Sequence, residues 1–286
     1  MTFDPRLTPA RPDLAAEHLR GHVQAERYAT GTLREVLDPV APLRRSPSPD
    51  AALDTEALMG ERVTVYETTE EGWAWGQLAS DDYVGWLPAN ALGAPQVAPT
   101  HRVSALRTLV FPGPSIKAPP IGGLPFGARV AVVRTEGVFA VTATGGFIPG
   151  RHLAPVASTE ADWVAVAERF VGSPYLWGGK TGLGLDCSGL VQVALTACGL
   201  ACPRDSDLQE RALGAPLAIA SGLAALARGD LIFWKGHVAI VRDDATVVHA
   251  NASRYMAVAF EGLADAIARI RAIAGEVTSV RRLTPS

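Results

Sequence analysis

A cysteine that follows a glycine-rich loop is the residue best suited to chemistry in this sequence. Cys187 ends the string YLWGGKTGLGLDC, which begins at Tyr175, and the apolar run after it predicts a helix. The unpaired N–H groups and partial positive charge of a helix N-terminus favour a thiolate, and the same N–H groups can stabilise an oxyanion. Cys187 is therefore predicted to be a nucleophile. A small buried residue is the alternative, because many cysteines outside disulfides have only that role.

Two histidines on neighbouring predicted strands could supply the base that a thiol needs. His237 opens the segment HVAIV and His249 lies in VVHA, with Arg242, Asp243 and Asp244 between the two strands. If these three residues form the loop, His237 faces His249, whereas a two-residue loop would point the rings to opposite faces. A lone histidine on a strand is more often structural. The catalytic interpretation therefore requires an odd-length loop.

Cysteine usage, charge and hydropathy exclude several classes of protein. Cys198 and Cys202 lie at the predicted helix end and beyond it, without the further ligands of a closed zinc site, so we expect neither a metal nor an organic cofactor. The net charge of −3 lacks the basic excess of a nucleic-acid-binding protein. No secretory signal or membrane-spanning stretch is visible, and three cysteines are typical of a reducing compartment. We expect a cytoplasmic location and no membrane partner.

With 286 residues and 48% hydrophobic content, the chain should contain several folded domains. Residues 1–34 are predicted to be an N-terminal arm with a helix, because Leu14, His18, Leu19 and Val23 recur at helical spacing after Pro12.

Residues 35–95 and 96–155 are β-rich segments that repeat three strings in the same order. GERVTV, EGWAWG and GWLP of the first segment return as GARVAV, EGVFAV and GFIP in the second. Short strands separated by Gly, Pro and Asp predict two small barrels. Trp73, Trp75 and Trp86 are expected to fill the core and rim of the first barrel, with a ligand platform as the alternative.

Residues 156–286 change from alternating strands to a mixed pattern. A helix is predicted over DWVAVAERF, another over residues 187–197, and strands over LIFW, HVAIV and TVVHA. Helices followed by a sheet indicate an α+β domain.

The strings around these residues, including PRDSDLQ at 203–209, GDLIFW at 229–234 and HAN at 249–251, resemble those of NlpC/P60 cysteine peptidases. The two repeats resemble bacterial SH3 domains. The resemblance therefore implies a multidomain fold of two SH3-like barrels followed by a papain-like α+β catalytic domain.

The resemblance also implies roles for individual residues. Cys187 would be the nucleophile, His237 the general base, His249 the residue that orients it, and Tyr175 a group near the oxyanion. The γ-D-Glu side of the substrate would meet Asp186, Ser188, Arg204, Asp205 and Ser206. Ala239 stands where glycine is more frequent, and its methyl group would narrow the site.

The combination of domains is similar to that of murein-recycling γ-D-glutamyl-L-diamino acid endopeptidases. It implies hydrolysis of the γ-D-Glu–diamino acid amide in short murein peptides with a free N-terminal L-Ala. Glu61 and Tyr83 of the first barrel would bind that ammonium, since a carboxylate and a hydroxyl accept hydrogen bonds. Their structural alternatives are a solvated charge and a barrel aromatic.

Two other functions remain open from the residues alone. The same Cys–His pair could serve an acyltransferase or amidase, or the chain could be a non-catalytic cell-wall-binding protein. The presence of all three proposed catalytic residues argues against the latter.

Overall fold

The computed structural model describes residues 3–218 and 226–283. The chain forms two compact units, Met1–Ser158 and Thr159–Ser286. Within the described ranges, no helix has the length and apolar character needed to cross a bilayer.

The N-terminal arm is built from strands and contains no α-helix in its described part. Strand β1 (Leu14–Ala16) pairs in parallel with β2 (Arg27–Ala29), and only the 3-10 helix Glu17–Leu19 lies between them. The predicted helix is therefore wrong. All three residues of β1 are fully buried, which tertiary packing can impose on a segment with helical spacing.

A seven-stranded antiparallel sheet follows, in the order β5-β4-β8-β7-β6-β3-β9. Its strands are β3 (Thr32–Val36), β4 (Val40–Arg44), β5 (Leu53–Leu58), β6 (Arg62–Thr68), β7 (Trp73–Leu78), β8 (Val84–Pro88) and β9 (Leu92–Gly93). Its core cluster includes Leu43, Val63, Leu78 and Leu87, all fully buried.

The tryptophans of this sheet pack as expected from the sequence. Trp75 and Trp86 are buried beside Leu14 of the arm, and Trp73 packs partly buried against them. The Arg11 guanidinium lies 4.4 Å from the Trp75 ring and 4.8 Å from the Trp86 ring. The tryptophans therefore attach the arm to the sheet.

Residues 101–155 form three small sheets around their own core. Their strands are β10 (His101–Val103), β11 (Arg107–Val110), β12 (Gly122–Pro125), β13 (Arg129–Val130), β14 (Val132–Glu136), β15 (Phe139–Thr142), β16 (Phe147–Pro149) and β17 (Leu153–Pro155).

The sequence repeats have repeated local structure. Gly60 and Gly127 both open their strings with a positive φ, of 81° and 87°, which glycine adopts without strain. In both copies a strand that ends at proline runs into a three-residue 3-10 helix, Ala89–Ala91 or Gly150–His152, and then a short strand.

The C-terminal unit combines helices with a six-stranded antiparallel sheet, ordered β20-β25-β21-β22-β23-β24. Among the described residues of this unit, the helices are α1 (Trp163–Glu168), α2 (Cys187–Ala197), α3 (Ser206–Ala212) and α4 (Leu263–Ala274). The strands are β18 (Lys180–Thr181), β19 (Gly184–Leu185), β20 (Ala215–Leu217), β21 (Leu231–Trp234), β22 (His237–Val241), β23 (Thr246–Asn251), β24 (Ala257–Gly262) and β25 (Ser279–Arg282). Helix α2 packs against β22 and β23.

Candidate active site

Cys187 is the first residue of α2, where the sequence predicted it. Asp186 precedes the helix in an extended conformation, and its Oδ1 accepts a hydrogen bond from the N–H of Gly189 at 2.7 Å. An aspartate in this position satisfies one of the unpaired N–H groups at the helix start. The cap thus fixes the point at which the Cys187 side chain leaves the helix.

A buried arginine holds this cap in place. Arg204 is fully buried and donates to both carboxylate oxygens of Asp186, at 2.9 and 2.8 Å. It also donates to Oγ of Ser188 at 3.0 Å and to the carbonyl of Gly179 at 3.3 Å. The structure therefore brings Asp186, Ser188 and Arg204 together, and in it their polar groups bind one another beneath the nucleophile.

One further residue that holds this segment in place was not predicted from the sequence. Gln209 on α3 is fully buried, and its Nε2 donates to the carbonyls of Ser188 and Pro203, both at 2.9 Å. Asp205 and Ser206, which were predicted to bind substrate, are half-buried at the start of the same helix. The string PRDSDLQ indicated this segment, but Gln209 shows its role only once α3 is placed.

The sulfur of Cys187 lies against the sheet, where its pKa depends on competing effects. Burial and the nearby Asp186 carboxylate raise the pKa of Cys187 to about 12, and hydrogen bonds from the N–H groups of Val238 and Ser188 only partly oppose this rise. At neutral pH the side chain is therefore a thiol. The helix start was expected to favour a thiolate, but burial and the capping carboxylate outweigh that effect.

The hairpin of β22 and β23 places His237 and His249 on one face, through a loop longer than predicted. Val241 lies opposite Val247 and Ile240 opposite Val248, so five residues, 242–246, separate the last paired positions, the fifth being Thr246 at the start of β23. This number is odd, as the catalytic interpretation required. The expectation that His237 faces His249 directly is wrong, because this register makes them diagonal neighbours on the same face.

The two imidazole rings are nonetheless in contact, and His249 also contacts a third side chain. Nε2 of His237 lies 3.0 Å from Nδ1 of His249, and Nε2 of His249 lies 3.0 Å from Oε2 of Glu261. On β24, Ala259 lies opposite His249, so Glu261 shares its face. A chain of three side chains therefore crosses three adjacent strands.

Glu261 is buried and strongly held, and it was absent from the sequence-predicted site. Arg269 on α4 donates to its two oxygens at 2.9 and 2.7 Å, and Arg254 donates to Oε1 at 3.0 Å. Burial acts to raise the pKa of Glu261, but the hydrogen bonds and charges of Arg269 hold it below the usual value. Glu261 is therefore an anion that accepts the N–H of His249.

This anion determines which nitrogen of each ring carries hydrogen. Burial lowers the pKa of His237 to about 3 and that of His249 to about 4, so both rings are neutral at pH 7. His249 donates from Nε2 to Glu261, which leaves its Nδ1 as an acceptor for the Nε2–H of His237. Nδ1 of His237 is then the unprotonated nitrogen, which is available to act as a base.

Tyr175 lies in the same surroundings as the nucleophile. Burial, followed by the charges of Cys187 and Asp186, raises the pKa of its hydroxyl. The hydroxyl therefore remains protonated and can donate a hydrogen bond beside Cys187. Ala239 of β22 is fully buried, and its place in the strand puts it on the face of His237.

The two residues predicted to bind the substrate ammonium belong to the N-terminal unit. Tyr83 is buried and lines a cleft of about 790 Å³ together with Trp75 and Trp86. Glu61 precedes β6 and does not occur among the described residues that line this cleft.

Two segments of the chain match known protein families. Residues 43–92 match the bacterial dipeptidyl-peptidase Sh3 domain, and residues 172–268 match the NlpC/P60 family. The NlpC/P60 match includes Cys187, His237, His249 and Glu261.

Similar proteins carry names that refer to dipeptidyl-peptidases. The chain is 27% identical over 230 residues to the γ-D-glutamyl-L-lysine dipeptidyl-peptidase of Bacillus cereus, covering 69% of this chain and 67% of that protein. It is 30% identical over 200 residues to the protein of that name from Bacillus subtilis, covering 65% of each chain. Dipeptidyl-peptidase 6 of Lysinibacillus sphaericus is 38% identical over 88 residues, or 31% of each. The chain thus spans less than two thirds of the latter two relatives.

Solved structures share the fold. An NlpC/P60 family protein from Bacillus cereus superposes with a TM-score of 0.73 at 22% identity, over 89% of this chain and all of that one. An NlpC/P60 endopeptidase from Photobacterium damselae gives a TM-score of 0.58 at 13% identity, over 90% and 74% of the two chains.

Proposed function

We propose that this chain, whose residues 172–268 belong to the NlpC/P60 family of cysteine peptidases, hydrolyses the amide bond between γ-D-Glu and a diamino acid in short murein peptides. The observation that carries the proposal is the chain of contacts from His237 through His249 to Glu261, next to a helix that begins at Cys187. The names of the two Bacillus relatives supply the substrate class.

The first half of the reaction forms an acyl-enzyme. The Cys187 thiol gives its proton to Nδ1 of His237 as the sulfur attacks the γ-carbonyl carbon, and the positive charge on the imidazole is balanced by Glu261 through His249. Backbone N–H groups at the start of α2 and the hydroxyl of Tyr175 donate to the oxyanion. When the C–N bond breaks, His237 returns the proton to the leaving amine.

The second half releases the dipeptide. A water molecule gives a proton to His237 and attacks the thioester carbon, and the thiolate leaves and recovers that proton from His237. The products are L-Ala-D-Glu, with a free γ-carboxylate, and the diamino acid.

The finer architecture and setting form part of the same proposal. Residues 96–155 are a second SH3-like barrel, supported by the repeated strings and the repeated 3-10 helices, and the C-terminal domain is of the papain-like α+β type. The enzyme acts in the cytoplasm on recycled peptides with a free N-terminal L-Ala, whose ammonium Glu61 and Tyr83 would accept.

Mass spectrometry of tripeptide digests tests the proposal. L-Ala-γ-D-Glu-meso-diaminopimelate should give L-Ala-D-Glu and the free diamino acid, and the N-acetylated peptide should be cleaved at least about ten-fold more slowly. The Cys187→Ala variant should lose cleavage, whereas the control Cys198→Ser should retain it. Unchanged cleavage by Cys187→Ala would overturn the proposal.

The same digests distinguish hydrolysis from acyl transfer. With an added primary amine, a hydrolase should still yield mainly the free γ-carboxylate. An amide of the added amine as the main product would instead show an acyltransferase.

A further inference from the structure

A small cavity beside His237 is lined mainly by residues that the proposed catalytic steps do not use. Its volume is about 180 Å³, and it lies wholly within the C-terminal unit. Tyr175 and three segments line it: the turn into β22 with Lys235, the end of β23 and the residues after it with Ser253, and the face of α4 with Arg269 and Ile273. Gly236 allows the tight turn, with a φ of 76°. A cavity of this size suits one amino-acid side chain.

The surroundings of the cavity carry a net positive charge. Lys235 is exposed, and no acidic residue occurs among the described residues that line the cavity. Arg269 also lines it and donates to Oγ of Ser253 at 3.0 Å. Arg254, Arg269 and Lys235 bring three positive charges to this region. The Glu261 carboxylate, which binds both arginines, neutralises only one of these charges.

The position of His237 determines which part of a substrate enters. His237 lines the cavity and must give its proton to the leaving amine, so the residue that carries this amine lies next to it. Ile270 and Ile273 of α4 provide an apolar wall for the methylene groups of a diamino acid. The charged groups would then meet the far end of that side chain.

We infer that this cavity is a specificity site that favours a diamino acid ending in a carboxylate, of the diaminopimelate type, over lysine. The inference rests on the proposed function. The far end of diaminopimelate carries an ammonium and a carboxylate, whereas the far end of lysine carries only an ammonium, which the local positive charge repels. The α-carboxylate of the diamino acid is present in both peptides and does not distinguish them.

Three tripeptides separate these charge patterns. All three begin with L-Ala-γ-D-Glu, and their third residue is meso-diaminopimelate, L-lysine, or diaminopimelate with its far carboxylate amidated. The kcat/KM of the full chain is measured for each peptide. We expect the acid to be cleaved roughly five-fold faster than the other two, with a preference that decreases as salt is added.

Charge reversal at Lys235 provides the decisive comparison. Lys235→Glu should change the acid-to-lysine ratio by roughly five-fold or more toward lysine, and Lys235→Gln by less. Lys117→Glu, a matched change at an exposed lysine of the other unit, should leave the ratio unchanged. Because the ratio is taken within one protein, partial loss of folding cancels.

Two contrary results have different meanings. Equal cleavage of the acid and lysine peptides, with a ratio that Lys235→Glu does not alter, overturns the specificity site and leaves the proposed function intact. No cleavage of any of the three peptides by the unmodified protein overturns the proposed function, and this inference with it.

Discussion

His237 and His249 meet edge to face, with Nε2 of the first ring 3.0 Å from Nδ1 of the second. Because Nε2 of His237 donates its hydrogen to His249 in this contact, Nδ1 of His237 is left unprotonated. Since His249 is almost completely buried and takes its own orientation from Glu261, the base is aligned before any substrate arrives.

Replacement of His249 should affect turnover more than binding. His249→Ala removes the acceptor that fixes the His237 tautomer, so we expect kcat to fall by roughly 10²–10⁴ with little change in KM. His249→Gln, which keeps a side-chain acceptor, should recover part of the loss. Steady-state kinetics on the tripeptide measures both, and a loss expressed only in KM would contradict the positioning role.

Glu261→Gln should lower kcat by roughly 10- to 100-fold, because the imidazolium formed during attack loses its countercharge. The Glu261 charge raises the pKa values of His237 and His249, so its removal lowers them further. The acidic limb of the kcat/KM profile should therefore move to lower pH.

Glu276→Gln is the control for this change, because that carboxylate is exposed and lies 3.7 Å from Arg271. It should leave the profile unaltered. A profile that moves to higher pH in Glu261→Gln would refute the assigned electrostatics.

Cys187 should react slowly with iodoacetamide in the resting enzyme. With a pKa raised to about 12, the thiolate fraction keeps increasing with pH beyond 9, so the alkylation rate should rise through pH 10 without a plateau. Peptide mapping separates Cys187 from the other cysteines. A plateau below pH 8 would instead indicate a preformed thiolate.

Arg204→Met should destabilise the C-terminal unit by roughly 3–5 kcal/mol, because it leaves the buried Asp186 carboxylate without its cation. Arg211→Met is a matched control, since its pair with Asp207 is an exposed i,i+4 pair worth about 0.5 kcal/mol or less. The free energy of unfolding of each variant is measured by denaturant titration, and the loss of activity is followed in the same titration. Equal stability of the two variants would argue against a structural role for Arg204.

Local features of the site could be predicted from the sequence. Helix α2 begins at Cys187 because Asp186 caps it, and strands β21 to β23 coincide with apolar runs that turn residues separate. These features depend on neighbouring residues only.

Features that depend on distant pairing could not be predicted. Glu261 reaches His249 only because of the register of β23 and β24, which no short string encodes. The exact loop of β22 and β23 was missed because Asp243 accepts hydrogen bonds from Ala245 N–H and Thr246 Oγ1, which lengthens the turn. In the arm, the apolar residues have helical spacing, but packing against Trp75 and Trp86 holds Leu14 in a strand.

The pairing of Val241 with Val247 restricts how this hairpin can change. A slip of one residue in the pairing of β22 with β23 would turn one histidine ring to the opposite face, whereas a slip of two residues would preserve the shared face. Functional variants of this hairpin are therefore expected to change in length only where the pairing of β22 with β23 keeps both rings on one face, even though the loop itself takes no part in the reaction.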